Sequence, residues 1–238
     1  MKINLLDSVI NLFFPAFCII CGNTGEFLCP SCFEKIKIQD RQFCPVCYKE
    51  TLSGEICYRC KGECHGQNID CLLSVCKYDR SSPFPYLIHS FKYDFLKDLS
   101  KPLGELMCQT LFSLNFRQFN LCFVPLHKKR LKWRGFNQAE LLANHIGKHF
   151  NLPVYDLLKR KHFNKPQMEL SRDRRLENLK SSFVINHEGP DFNKIDKHVP
   201  VLLVDDVATT LSTLNYCADA LKKNGFKKVC GIVLARVY

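Results

Sequence analysis

No stretch of this 238-residue chain contains the ~18 or more consecutive apolar residues that a membrane-crossing helix needs, so no transmembrane segment is expected. There is no G-x-x-x-x-G-K-[ST] loop either, which removes P-loop nucleotide chemistry. Internal repeats and low-complexity tracts are missing, so solenoids and repeat arrays are set aside. A cleavable export signal is also lacking. Lys2 and the run through Phe13, Phe14, Phe17, Ile19 and Ile20 imitate one, but Asn4, Asp7, Asn11 and Pro15 interrupt the run. Cys18–Ile19–Ile20–Cys21 offers no small-residue cleavage site. The segment reads as a short amphipathic helix that packs on the residues after it. The expected location is therefore cytoplasmic, in a reducing compartment where disulfides are not expected.

Cysteine is abundant. Of fifteen cysteines, eight form four C-x-x-C pairs: Cys18/Cys21, Cys29/Cys32, Cys44/Cys47 and Cys57/Cys60. Two residues between thiols let both sulfurs reach one ion across a tight knuckle, and two knuckles complete a tetrahedral four-cysteine zinc site. Eight such cysteines predict about two structural Zn2+ ions. The favoured arrangement joins the first pair to the second and the third to the fourth, with interleaved pairing the alternative. In a module this poor in apolar residues the metal supplies on the order of 10 kcal/mol of folding energy. Cys64, His65, Cys71 and Cys76 read as core or surface residues. Cys108, Cys122, Cys217 and Cys230 sit in apolar patterns and read as packing residues.

The pattern divides the chain into a cysteine-rich module, residues 1–75, and an α/β domain, residues 76–238. Thr51–Leu52–Ser53–Gly54 reads as a turn between the last two cysteine pairs. Helices are expected over His89–Leu111 (continuous or with a break), Asn137–Phe150 and Thr213–Asn224. Asn137 is a candidate N-cap with Glu140 in the reciprocal capping position, and Gly225 closes the last helix. Strands are expected over Leu121–Leu126, Val199–Val204 and Val229–Val237. This alternation implies a mainly parallel sheet covered by helices. Charge is segregated as well. The module is nearly neutral, while the domain carries 27 Lys/Arg against 15 Asp/Glu within an overall net charge of +11. Such an excess is either a solvated basic face or the footprint of a polyanionic partner.

The sharpest chemistry lies in Val201–Leu–Leu–Val–Asp205–Asp206–Val–Ala–Thr–Thr–Leu–Ser–Thr213. An apolar strand ends in paired acids, followed by small and hydroxyl residues and then a helix. Ligands of open α/β sheets gather at the carboxyl ends of strands, loop N–H groups at a helix start hold anions, and two acids can bind sugar hydroxyls or a hydrated magnesium ion. A receiver domain also starts with an apolar strand and paired aspartates, but it needs over a hundred further residues and only thirty-three follow Asp205 here. A Walker B strand lacks its partner loop. The plain alternative is a capping aspartate pair on an ordinary sheet.

This stretch resembles the PRPP-binding motif of type I phosphoribosyltransferases. A second stretch, Val124–Pro–Leu–His–Lys–Lys–Arg–Leu–Lys–Trp–Arg–Gly–Phe–Asn–Gln138, resembles the ComF competence family, as does the order of motifs after four C-x-x-C pairs. Lys165–Pro–Gln167 through Arg174–Arg–Leu–Glu–Asn178 agrees. The resemblance implies a type I phosphoribosyltransferase-like domain behind a double zinc ribbon. In it Asp205 and Asp206 contact ribose hydroxyls, and Ala208, Thr209, Thr210, Leu211, Ser212 and Thr213 cradle the 5′-phosphate. Pro125 to Arg130 lie near the pyrophosphate, and Lys165 to Arg175 form a flap, with Lys128, Lys129, Arg130, Arg134, Lys165 and Arg174 as candidate pyrophosphate contacts. Mg2+ with PRPP is the implied cofactor pair.

The resemblance also implies a role in natural transformation, with single-stranded DNA and other DNA-uptake proteins as partners, in the cytoplasm or peripheral at the inner face of the membrane. The basic segments 127–134, 159–162 and 172–175, interleaved with Trp133, Phe136 and Phe163, suit single-stranded nucleic acid by charge and stacking. Two readings are open: a PRPP-binding competence factor with little turnover, or an active phosphoribosyltransferase on an unidentified nitrogen acceptor. One residue departs from the family pattern, which has glycine where this chain has Leu211. If that position requires positive φ, leucine costs ~1–2 kcal/mol, and Leu211→Gly is expected to tighten PRPP binding about tenfold.

Overall fold

The structure, a computed structural model, describes residues 15–63, 66–116, 118–160, 182–189, 192 and 195–237. Residues 1–14, Cys64, His65, Phe163, Lys165 and Arg174, and with them the expected N-terminal helix and the flap, lie outside the described residues. Among the described residues no helix is long and apolar enough to cross a membrane.

The cysteine-rich region contains two short helices, α1 (Pro30–Phe33) and α2 (Tyr58–Glu63), and an antiparallel pair, β1 (Gln42–Phe43) with β2 (Glu50–Thr51). β3 (Cys71–Lys77) comes next and is buried at every position except Lys77. The expected helix 89–111 is two helices, α3 (Phe84–Tyr93) and α4 (Ser100–Ser113), parted by Phe95 at φ 58° and a 3-10 turn over Lys97–Leu99. Then come β4 (Asn120–Phe123), α5 (Lys128–Arg134), α6 (Gln138–Phe150), β5 (Val154–Tyr155), β6 (Leu158–Arg160), β7 (Phe183–Ile185), β8 (Val201–Ala208), α7 (Ser212–Lys223) and β9 (Val229–Arg236).

Five strands form one sheet in the order β3-β9-β8-β4-β5, every neighbouring pair parallel. β6 and β7 form a separate antiparallel pair. The central strands are apolar on both faces, as a sheet covered on both sides requires. Alternate residues serve different cores. Leu202, Val204, Ile232 and Leu234 meet Leu103, Leu106, Leu142 and Ile146 of α4 and α6, whereas Val201, Leu203 and Val233 meet Leu214, Cys217 and Leu221 of α7. This is the two-residue period of a strand.

The outer edge of β3 is covered by the cysteine-rich region. Gln42 donates from Nε2 to the Ser74 carbonyl (3.1 Å) and accepts from the Ser74 N–H (2.9 Å), Gln39 N–H donates to the Val75 carbonyl (2.8 Å), and Leu72 N–H donates to the Gly54 carbonyl (2.9 Å). An edge that would otherwise offer unpaired backbone groups is thereby closed. Arg236 of β9 reaches the Pro45 carbonyl and lies over the Tyr48 ring. Cys18, Leu28 and Cys32 share a core with Val75, Phe84 and Leu87, so the module and the sheet are packed against each other.

One expectation is corrected. Cys71 and Cys230 are buried core residues, in keeping with the sequence pattern, but the expectation of a chain without disulfides does not hold. The two are register partners on adjacent parallel strands, Cα atoms 4.6 Å apart, and are joined as a disulfide. Sequence spacing carries no sign of a pairing between residues 159 apart, because only the sheet register makes it.

Candidate functional site

The eight paired cysteines gather into two groups of four. Within Cys18, Cys21, Cys29 and Cys32, and within Cys44, Cys47, Cys57 and Cys60, all sulfurs lie within 4.8 Å of one another. The first pair joins the second and the third joins the fourth. Backbone N–H groups point at the sulfurs, from Cys29 to Cys18 Sγ (3.5 Å) and from Cys57 to Cys44 Sγ (3.4 Å). Burial resists ionisation of Cys18, but N–H groups of Cys29, Cys21 and Ile20 outweigh it and bring the thiol down to about 6. The Lys49 N–H chiefly brings Cys47 to about 6. Four cysteine donors at tetrahedral spacing, closed to further ligands, suit structural zinc.

The acid pair lies at the opposite end of the domain sequence. β8 runs further than the sequence pattern suggests, so Asp205 and Asp206 stand within the strand and not beyond it. On one side β9 pairs along the whole length, Asp205 opposite Val233 and Ala208 opposite Arg236. On the other side β4 stops at Phe123 opposite Val204, so residues 205–208 leave the ladder on that edge open toward the segment after β4. That segment carries Pro125 to Arg130, and its first residue is pinned by Val124 N–H to the Val204 carbonyl (2.9 Å) and by Asn137 Nδ2 to the Val124 carbonyl (3.0 Å). Asn137 also caps α6, accepting from Ala139 N–H at 3.1 Å.

The two carboxylates differ. Asp206 forms an ion pair with Lys92 Nζ at 2.9 Å, the side chains 13% and 20% exposed. Asp205 accepts from the Asp206 N–H at 2.8 Å. Burial, reinforced by the Asp206 charge, raises the Asp205 carboxyl well above the usual carboxylate range, to about 7. Lys92 and Arg160 partly oppose that rise. Arg160, itself pushed down by burial and by the nearby Arg130 charge, lies over the Phe183 ring. Acids and cations thus alternate around the carboxyl ends of β4 and β8.

The remaining sequence candidates divide. Ala208 is buried, Thr209 and Thr210 are exposed, and Leu211, Ser212 and Thr213 are half-buried at the start of α7. Lys128, Lys129 and Arg130 are exposed on the first turn of α5. Arg134 is turned inward, its Nη1 donating to Gln138 Oε1 (3.2 Å) and its guanidinium over the Tyr93 ring. Leu211 has φ −72° and ψ −5°, ordinary helical backbone, and its side chain packs against the core on the α7 side of the sheet. The expected strain is absent, because the turn is completed without a left-handed residue at this position. Sequence reasoning missed Lys92. It is a lysine near the end of an apolar helix, 114 positions before its partner, and nothing in local pattern marks it.

A double zinc ribbon domain matches residues 9–61. Over nearly the whole length the chain is similar to Competence protein F of Haemophilus influenzae, 29% identical over 231 residues, 90% of this chain and 99% of the relative. It is 28% identical to Competence protein ComFC of Bacillus subtilis over 216 residues, 84% of this chain and 80% of the relative. The ribbon match and these relatives support assignment of the chain to the ComF/ComFC family. Another relative is DNA utilization protein YhgH of Escherichia coli, 28% identical over 226 residues, 89% and 92% of the two chains. In this chain the ribbon match coincides with two tetra-cysteine groups suited to zinc, and the α/β domain carries the acid pair at its open sheet end.

Proposed function

We propose that the chain is a PRPP-binding, phosphoribosyltransferase-like competence protein that supports uptake of single-stranded DNA, acting in the cytoplasm or at the inner face of the membrane. The observation that carries the ligand reading is the Asp205–Asp206 pair, held at the carboxyl end of β8 where β4 has stopped and followed directly by the 208–213 loop into α7. Ribose hydroxyls would bond to the acids and the 5′-phosphate to the loop N–H groups. Hard carboxylate oxygens beside a phosphate suit magnesium, which takes one or two carboxylates plus phosphate and water. Here Asp205 and Asp206 would hold it, with Lys92 yielding Asp206 to the ligand. Lys128, Lys129, Arg130 and the flap cations Lys165 and Arg174 would face the pyrophosphate, and Arg134 would support that segment from behind. The domains would divide at about residue 75.

The DNA reading rests on the relatives' names, two competence proteins and a DNA utilization protein, and on an aromatic surface beside basic residues. Trp133 is 60% exposed, with Phe95 at 5.9 Å and Tyr93 at 6.4 Å between ring centroids. Lys128, Arg130 and Lys132 stand on the same short helix. Exposed rings among cations suit stacking of unpaired bases, with a steep salt dependence. Arg130 and Arg160 near the acid pair favour the second reading, turnover with a pyrophosphate leaving group, because fixed cations stabilise departing anions.

Calorimetric titration with PRPP and magnesium tests the proposal. Wild type is expected to bind, and the Asp205→Asn/Asp206→Asn double variant is expected to lose at least tenfold in affinity, ~1.4 kcal/mol, while remaining folded. Equal affinities would sink the site assignment. A pyrophosphate-release assay across candidate bases then separates binding from turnover.

A further inference from the structure

The packed helices α4 and α6 bring together a group of metal-ligating side chains that the PRPP and ribbon readings do not use. Glu105 and Cys108 stand one turn apart on α4, and His145 stands on α6, with one ligand atom from each within 4.8 Å of the others. His149, one turn beyond His145, places Nδ1 3.5 Å from the same Glu105 oxygen that lies 3.5 Å from His145 Nε2. Residues spaced three and four apart project from one helix face, so the two pairs confront each other across the helix interface.

A second feature fixes the histidine. A Cβ at position 104 would stand 2.7 Å from Cβ, Cγ and Cδ2 of His145. Gly104 therefore leaves a notch in α4 into which the His145 ring is set, with its Nε2 directed along α4 toward Glu105. Cys108 is fully buried, Glu105 and His145 are half-buried, and His149 is exposed. The group has a dry inner end and a wet outer end.

We propose that Glu105, Cys108 and His145 form a third zinc site, distinct from both ribbons, with His149 orienting the Glu105 carboxylate and the fourth position facing solvent. The donor chemistry selects the ion. A thiol and an imidazole are poor partners for magnesium or calcium and good ones for zinc. Bonds of about 2.0–2.3 Å set tetrahedral donors roughly 3.3–3.8 Å apart. Glu105 and His145 already stand 3.5 Å apart, and Cys108 Sγ, within 4.8 Å of both, is brought to that spacing by small side-chain rotations of the half-buried Glu105 and His145. The carboxylate already has a polar neighbour, His149 Nδ1 at 3.5 Å, placed to orient it as outer partners orient ligating carboxylates. Burial beside Glu105 holds the Cys108 thiol at about 12, so zinc entry releases that proton, as at other cysteine sites. Three protein ligands and one open position make this site exchangeable where the ribbons are closed.

The test is zinc content of the full chain after equilibrium dialysis against zinc-buffered solution. Three zinc ions per chain are expected in wild type and two in His145→Gln and in Glu105→Gln, both partly exposed positions whose retained ribbon zinc reports an intact fold. Cobalt(II) substitution gives a second readout: wild type is expected to show a single-thiolate component that His145→Gln lacks, on an unchanged tetrathiolate spectrum. Two zinc ions in wild type, or three in both variants, would overturn the proposal and leave the cluster as an ion pair between helices. Neither outcome bears on PRPP binding, which Asp205 and Asp206 decide.

Discussion

Asp205 is held in a protonation state that its sequence neighbours alone do not impose. Its carboxyl is raised because it is buried and stands beside the Asp206 charge. The folded chain holds this proton more tightly than the unfolded chain, so the group's contribution to stability is present in acid and is lost as pH rises from about 4 toward 7. Asp205→Asn is therefore expected to raise the melting point relative to wild type at pH 8 more than at pH 5. Ligand binding runs the other way, since hydroxyls and magnesium need the carboxylate. PRPP affinity is expected to rise between about pH 6 and 8 in wild type, with that extra slope missing in Asp205→Asn. A parallel pH profile in both proteins would remove Asp205 from the site. The paired acids were legible because an apolar strand ending in Asp-Asp is a local pattern. Lys92 was not, because an ion pair made by tertiary packing leaves no trace in spacing. Leu211 shows the converse: a departure from a family pattern suggests strain, and a backbone at φ −72° removes that ground for expecting Leu211→Gly to bind more tightly.

At the scale of elements, hydrophobic runs and caps locate the strands β8 and β9 and the helices α6 and α7 to within a few residues. Each is long, strongly patterned or visibly capped, as with Asn137. The short elements α5, β5, β6 and β7 escape, since strands of two or three residues and a helix of seven are too short to display a clear period. β3 escapes for another reason. Its buried run continues from the cysteine module without a break, and its role as an edge strand depends on β9 and on the turn at Gly54. That turn is sharply constrained. Gly54 has φ 69°, and a Cβ there would stand 2.2 Å from the Leu72 carbonyl oxygen, the same strand whose Leu72 N–H bonds to Gly54. Gly54→Ala is expected to cost at least ~2 kcal/mol from left-handed strain and backbone clash, lowering the melting point by roughly 4–8 °C. Gly22→Ala shares the positive φ but meets nothing within 4 Å, so it is expected to show the smaller loss. Equal losses would mean that the contact at Leu72 yields without cost.

For the whole molecule, the zinc module and the sheet depend on each other. Four-cysteine knuckles fold around their ions, and residues 39, 42 and 54 of that module close the β3 edge. Removing zinc with a strong chelator is therefore expected to do more than unfold the module. It should uncover a strand edge and cause self-association of a domain that remains helical by circular dichroism. A chelated protein that stays monomeric in light scattering would show that β3 does not need its cover. The asymmetry of charge is plain from composition, but which face it occupies is not, because the exposed cations of α5 and the aromatic rings of α3 and the turn after it meet only through the fold.

β9 lies between β3 and β8 in the sheet, and among the described residues of that sheet β3 hydrogen-bonds to no other strand. A ribosome makes β3 more than 150 residues before its partner. Until β9 is made the zinc module can load its metal, while the strand joining it to the sheet has no place in the sheet to occupy. Completion of the sheet thus waits for β9: residues 229–236 must enter between two waiting strands, and Arg236 then reaches back to Pro45. Growing chains arrested before β9 are expected to be protease-sensitive around Cys71–Lys77, and chains carrying β9 beyond the exit tunnel to be protected there. The order of synthesis makes segments more than 150 residues apart fold together.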